Sequence, residues 1–350
     1  MKSVIYVGDG KVELQDVPKP ELVDPTSVLV KVHLSTLCGS DVHVLKGEQI
    51  NINPPFPLGH EAMGTVEEIG SAVKNIKVGD RVAVPPAIYC GCCFNCGNDV
   101  PGWCENGGVM GHGSGWGGLD GCLSEYVRVP RADSCLCKVP DNVTDEQALF
   151  VGDILTTAYS CAVDGSIQHG DTVVVYGLGP VGQCAVLCSR LFSPLRVIAV
   201  GGRDKSRTEL AAKIGADVTL LSSEDDVVAR ILELTDGRGA DVSLECAGNP
   251  SSYLNAYNST RIGGHISICG VFGKPFEMPM NELCTKNMTV KHGLGNITLI
   301  PRVMKLVEAG KLDASPLITH HMKLSQIDEA IDLFVNQPEP CMKIAIDVRG

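Results

Sequence analysis

The most restrictive stretch of this 350-residue chain is "DTVVVYGLGPVGQCAVLCSRL", from Asp171 to Leu191. Its first half is a continuous apolar run rich in valine, as expected of a strand buried on both faces, and its second half is an apolar helix. Between them Gly177, Gly179 and Gly182 form a G-x-G-x-x-G turn that also contains Pro180 and Val181. The first glycine permits the tight turn, the second lets backbone approach a pyrophosphate, and the third lets helix and strand pack closely. A phosphate would then sit at the helix N-terminus. A merely structural turn is the other reading. Strand and helix go on alternating through "RVIAVGG", "KSRTELAAKIGA", "DVTLLS", a helix over 224–235, "ADVSLECAG" and "HISICGVFG". The alternation predicts an α/β domain over 155–291, a doubly wound parallel sheet that binds a dinucleotide.

The rest of the chain has a different rhythm. Residues 1–150 read as short strands separated by Gly, Pro and Asp, among them "SVIYV", "SVLVKVHLSTL", "AMGTVEEIG" and "DRVAVPP". A tail with helices at 300–309 and 325–336 and a closing strand "KIAIDV" most simply returns to this first region. Residues 1–154 and 292–350 are therefore expected to form one discontinuous domain. The N-terminus has no sustained apolar core after its first basic residue, and the most apolar region is broken by Gly, Pro and Arg. A cytoplasmic protein is expected. The net charge of −12 argues against nucleic acid or an anionic membrane as principal partner and leaves a small-molecule substrate open.

The cofactor strand ends "AVGGRDK". An NAD site usually carries Asp or Glu there for the ribose hydroxyls, but Gly201 and Gly202 occupy the place and Arg203 follows. Without a carboxylate to repel it, a 2′-phosphate can meet the planar fork of Arg203, so NADP is preferred to NAD. A solvated loop charge at Arg203 is the bland alternative, and a longer strand would bring Asp204 to the ribose.

Sixteen cysteines are many for a cytoplasmic chain, where thiols stay reduced and metal binding or burial is the usual role. Cys90, Cys93, Cys96 and Cys104 have the spacing C-x2-C-x2-C-x7-C, which can wrap a tetrahedral structural zinc within a lobe over 88–106. An iron–sulfur cluster is the rival, but its fourth cysteine normally follows after three residues and precedes proline. Cys92, beside Cys93, leaves the register open by one residue. "LCGSDVH" and "PLGHEAMG" add Cys38, Ser40, Asp41, His43, His60 and Glu61. Each alone reads as a buried thiol, a turn histidine or a surface polar group. Asp153 stands out in the otherwise apolar or small "LFVGDILTTAY". Burying a carboxylate there requires a partner or a cation, unless it only caps the helix beginning at Ile154.

With these residues in place, the chain resembles the zinc-dependent medium-chain alcohol dehydrogenase/reductase family along essentially its whole length. "GHEAMGTVEEIGSAV", "VGDRVAV", the four-cysteine lobe, "GLGPVG" and "GADV" follow that family's order. The resemblance implies a partly open β-barrel-like catalytic domain beside a Rossmann domain, and a catalytic zinc. Liver-type members take a cysteine as third zinc ligand and polyol dehydrogenases a glutamate. "GDILTTAY" is similar to a third pattern, found in bacterial NADP-dependent secondary-alcohol dehydrogenases and glutathione-independent formaldehyde dehydrogenases. The resemblance therefore implies that Asp153 ligates zinc with Cys38 and His60, that Glu61 can exchange into the shell, and that Asp41 orients His60. It also implies a proton relay through Ser40 and His43, Thr157 packing on the nicotinamide, Lys343 near the cofactor phosphates, and a homodimer or homotetramer.

The expected reaction is reversible oxidation of an alcohol, secondary by this resemblance, with two zinc ions per chain and NADP. A polyol, sugar or amino-alcohol dehydrogenase of the same family is the alternative, and a non-catalytic NADPH-binding sensor a more distant one. The segment 105–121 has eight glycines in 17 residues. Its His112 and Trp116 are candidates for the substrate pocket, an ordinary surface loop being the other reading.

Overall fold

The computed structural model describes residues 1–49, 51–278, 280–336 and 341–349. The chain forms two units, Met1–Thr156 with Asn296–Gly350, and Thr157–Gly295. Among the described residues no helix is long and apolar enough to cross a membrane.

The first unit is rich in antiparallel sheet. Its central strand, Val28–Thr36, pairs antiparallel with Glu61–Ile69, with Tyr126–Val129 and with Lys343–Asp347. Apolar residues recur at Val28, Val30 and Val32, and these join Val66, Val82, Val127 and Ile344 in the core. The register of Val28–Thr36 shifts twice against Glu61–Ile69, between Leu29 and Val30 and between Val32 and Leu34. Bulges of this kind bend and twist a strand, which suits it to three partners in turn. The last two strands, Ile318–Lys323 and Lys343–Asp347, are parallel to each other, and the second joins the sheet through Ile346 opposite Ser35. The tail thus belongs to the first unit through hydrogen bonds as well as packing.

The second unit holds a six-stranded parallel sheet. Its spatial order is Val218–Leu221, Arg196–Gly201, Thr172–Tyr176, Ala240–Glu245, Thr260–Ile268, Thr289–His292. In chain order within the unit this is 3-2-1-4-5-6, the doubly wound arrangement whose order reverses beside the first strand. The alternation seen in the sequence accounts for the inner strands, which are almost wholly buried. It does not extend to the sixth strand, Thr289–His292, all four of whose residues are exposed. An edge strand with no buried face carries no apolar periodicity to read.

The turn after Thr172–Tyr176 has the backbone its glycines predict. Gly177 has φ +88°, and a Cβ there would lie 2.7 Å from the Ala247 nitrogen. A Cβ on Gly182 would stand 1.7 Å from the carbonyl oxygen of Gly177. Backbone cannot yield as a side chain can, so Gly182→Ala should cost about 1–3 kcal/mol of stability. Urea denaturation followed by circular dichroism measures this; an unchanged midpoint would show that the helix Pro180–Arg190 does not need that approach.

Candidate active site

Strand register brings the first two site residues together. Thr36 pairs with Glu61 and Ser35 with Ala62, so the chain leaving one strand and the chain entering the other run side by side just beyond that end. Cys38 and His60 lie in these two short extensions. On the far side of Glu61–Ile69, Ala62 pairs with Val84. Gly152 packs so closely there that a Cβ would meet the Val84 carbonyl oxygen at 2.2 Å. Asp153 is the next residue.

The result is a compact donor set. One ligand atom from each of Cys38, His60, Glu61 and Asp153 lies within 4.8 Å of all the others. Asp153 Oδ2 is 3.2 Å from His60 Nε2 and 3.8 Å from Cys38 Sγ. The other ring nitrogen, His60 Nδ1, is 3.1 Å from Asp41 Oδ1, while Asp41 Oδ2 accepts from the Cys38 backbone N–H at 2.8 Å. Asp41 therefore fixes the ring and the thiol-bearing backbone together, as an outer partner of a metal ligand does.

Electrostatics at the cluster are unusual for a protein interior. Burial works against charging the His60 ring, yet Asp41 and then Asp153 outweigh it and hold its pKa well above the ordinary value. Burial likewise opposes ionisation of Asp153, but His60 prevails and draws the carboxyl down to about 2. Burial pushes Glu61 up to about 7 against the pull of Lys343. Lys343 is itself buried; its ammonium donates to Glu61 Oε2 at 2.7 Å and to the Leu37 carbonyl oxygen at 2.8 Å. Sequence reasoning assigned Lys343 to cofactor phosphates and did not foresee this ion pair, whose partners are 282 residues apart. Glu61 Oε1 is buried with no hydrogen-bond partner. An orphaned carboxylate oxygen beside a thiol, an imidazole and a second carboxylate fits a zinc ion in chemistry and in number of donors.

The remaining predicted residues fall as follows. Ser40 and His43 lie three apart on the helix Gly39–Leu45, hence on one face, both part-exposed. His43 Nδ1 is 2.5 Å from Glu48 Oε2, which extends the pair by one acceptor. The Gly-rich segment is not an ordinary surface loop where it meets the site: a Cβ on Gly111 would meet Gly59 and one on Gly121 would meet Leu58. His112 is buried, its ring edge-on to His60 at 5.0 Å, with the Trp116 ring 6.3 Å beyond. Burial lowers the pKa of His112 to about 4, so its ring stays neutral at physiological pH.

In the lobe, Cys90, Cys93, Cys96 and Cys104 converge, with sulfur separations of 4.0 Å for Cys90–Cys96 and 3.9 Å for Cys93–Cys104. These suit a tetrahedron with bonds of about 2.3 Å. Backbone N–H groups point at the sulfurs, and that of Cys92 does most to draw Cys90 down to about 5. Cys92 is exposed and outside the group of four, its Sγ 3.7 Å from that of Cys90.

At the cofactor strand, Gly201 closes the strand and Gly202 is exposed beyond it. Asp204 caps the helix Lys205–Ile214 by accepting from Ser206 N–H at 2.9 Å, and it pairs with Arg207 at 3.2 Å. Arg207 was not foreseen; its guanidinium lies 3.9 Å from where a Cβ on Gly179 would be, beside the glycine turn. Thr157 begins the second unit and packs on Gly295.

Comparison with known proteins identifies the family. Residues 24–141 match the alcohol dehydrogenase GroES-like domain family and residues 180–309 the zinc-binding dehydrogenase family. An alcohol dehydrogenase of Cupriavidus necator is 36% identical over 369 aligned positions, covering 99% of this chain and 98% of that protein. The alcohol dehydrogenase TADH from Thermus sp. ATN1 superposes with a TM-score of 0.94 at 34% identity, each chain fully covered. A protein from Sinorhizobium meliloti 1021, described as a zinc-binding dehydrogenase and solved with NADP, gives a TM-score of 0.88 at 30% identity over 99% of both chains. The chain belongs to the zinc-dependent medium-chain alcohol dehydrogenase family. It is an oxidoreductase of small molecules, with zinc and a nicotinamide cofactor as its resident groups.

Removing one partner of the Lys343–Glu61 pair strands a buried charge. Lys343→Met should cost about 3–5 kcal/mol, and adding Glu61→Gln should recover most of it. Chemical denaturation of the single and double variants checks this; equal losses in both would show that Lys343 does not neutralise Glu61.

Proposed function

We propose that this enzyme interconverts a secondary alcohol and its ketone with NADP, on a zinc held by Cys38, His60 and Asp153 with Glu61 in reserve, and that a second zinc closes the four-cysteine lobe. The observation that carries this reading is the common focus of the four donor atoms, where Glu61 Oε1 is buried with no hydrogen-bond partner. When bound, zinc supplies Lewis acidity to a substrate oxygen and the nicotinamide takes or gives the hydride.

The chain's own residues do the rest. Asp41 holds His60 Nδ1, which leaves Nε2 to face Asp153 and the metal. Ser40, two residues after Cys38, takes the hydroxyl proton, and His43 passes it toward Glu48 and solvent. His112, neutral and edge-on to His60, with Trp116 next to it, gives the substrate side an uncharged aromatic wall, which favours an apolar alcohol over a polyol. Preference for NADP rests on the absence of a carboxylate at Gly201 and Gly202 and on the engagement of Asp204 in its helix cap. Arg203 and Arg207 supply the guanidinium groups. The exposed edge strand Thr289–His292 ends the parallel sheet and leaves an edge that a second copy would pair with in a homodimer or homotetramer. The cytoplasm suits its many reduced thiols.

Asp153→Asn keeps the side chain's size and removes its charge. Turnover should fall by more than the roughly 10–100-fold that loss of an outer partner costs, with zinc per chain falling too. Normal turnover at full zinc occupancy would remove Asp153 from the ligand set. Arg203→Ala should raise KM for NADP by roughly 10–100-fold, the loss of a charge-assisted bond, and leave KM for NAD unchanged. Equal effects on both cofactors would mean that Arg203 does not read the 2′-phosphate.

A further inference from the structure

A third group of thiols lies wholly within the second unit. Cys161 is on the helix Ile154–Asp164, Cys246 follows the strand Ala240–Glu245, and Cys269 follows Thr260–Ile268. Glu245 pairs with Ile268 in parallel register, so the next residue of each strand, Cys246 and Cys269, are neighbours. Their sulfurs are 3.4 Å apart, and Cys161 completes a set whose three sulfurs all lie within 4.8 Å of one another. Cys161 Sγ is also 3.3 Å from Ser267 Oγ. A trigonal cation with bonds of about 2.3 Å requires sulfurs roughly 4 Å apart. The 3.4 Å between Cys246 and Cys269 is shorter than the 3.9 and 4.0 Å of the four-cysteine lobe, so these two sulfurs would part slightly to hold an ion.

We propose that Cys161, Cys246 and Cys269 form a three-thiolate site for a soft d10 cation of the Cu(I) class, distinct from both zinc-ligand clusters. Two alternatives explain less. A Cys246–Cys269 disulfide would use two sulfurs and give no reason for Cys161 to meet them. Simple core packing accounts for Cys184 and Cys188, which are buried on the helix Pro180–Arg190 and belong to no such group among the described residues. The donors are sulfur alone, without imidazole or carboxylate, and number three. Zinc closes structural sites with four ligands, whereas an all-thiolate set of three selects a softer ion.

Hydrogen bonding to Cys246, and after it to Cys269, draws the Cys161 thiol below its ordinary value. On binding, each sulfur still protonated gives its proton to solvent as it bonds to the cation. No electrons move and no co-reactant is needed. Cys246 also backs the dinucleotide turn: its Cβ lies 3.6 Å from where a Cβ on Gly182 would stand.

The test titrates zinc-loaded, reduced full-length protein with Cu(I) under anaerobic conditions, against a Cu(I)-selective chelator. Copper and zinc per chain and copper-edge X-ray absorption are measured. The expected result is one copper per chain in a sulfur-only shell of three, with zinc retained. Cys246→Ser and Cys269→Ser should each weaken uptake by more than about 100-fold, and Cys161→Ser likewise. Cys284→Ser, at an exposed thiol, should leave it unchanged. Should the buried Cys161→Ser fail to fold, the half-buried Cys246 and Cys269 variants carry the test. Copper entering only in exchange for zinc, uptake indifferent to these substitutions, or a Cys246–Cys269 cystine that takes up no copper would each overturn the proposal.

Discussion

The first unit concentrates more negative charge than its interior can hold unaided. Asp41 and Glu61 are fully buried and Asp153 nearly so, around a buried thiol. Against three carboxylates stand one ammonium, Lys343, and one imidazole, His60. Lys343 answers Glu61 Oε2, and His60 answers Asp41 and Asp153, but Glu61 Oε1 has no partner. Isolated buried charge is costly enough that a group normally neutralises instead. The raised pKa of Glu61 shows that pressure. A divalent cation held, as proposed, among Cys38, His60 and Asp153 would relieve it, and would give the sheet register that brings these residues together its chemical sense.

Local chemistry was legible in the sequence wherever the residues concerned are close in the chain. The glycine turn Gly177–Gly182, the four-cysteine lobe and the strand–helix alternation each lie within a short window, where spacing carries meaning. Asp153 was legible for a different reason: an acidic residue amid apolar neighbours is a physical anomaly whatever it faces. The family resemblance supplied Asp153's partners, and backbone pairing brings them together.

What escaped reading is long-range and pairwise. Nothing local to Lys343 announces Glu61, since both lie in apolar strands and each looks misplaced until they meet. Cys161, Cys246 and Cys269 are separated by 85 and 23 residues; parallel register after Glu245 and Ile268 joins the last two, and the packing of the helix Ile154–Asp164 adds the first. Arg207 stands one turn after the Asp204 cap, and its approach to the glycine turn is visible only in the structure. The exposed edge strand Thr289–His292 has no inner face to show.

The zinc account is tested most directly by diffraction from crystals of the zinc-loaded protein on both sides of the zinc absorption edge. It predicts an anomalous peak about 2.0–2.3 Å from Cys38 Sγ, His60 Nε2 and an Asp153 carboxylate oxygen alike. Zinc confined to the Cys90–Cys104 lobe, or a peak near Cys38 and His60 with the Asp153 carboxylate turned away, would contradict it.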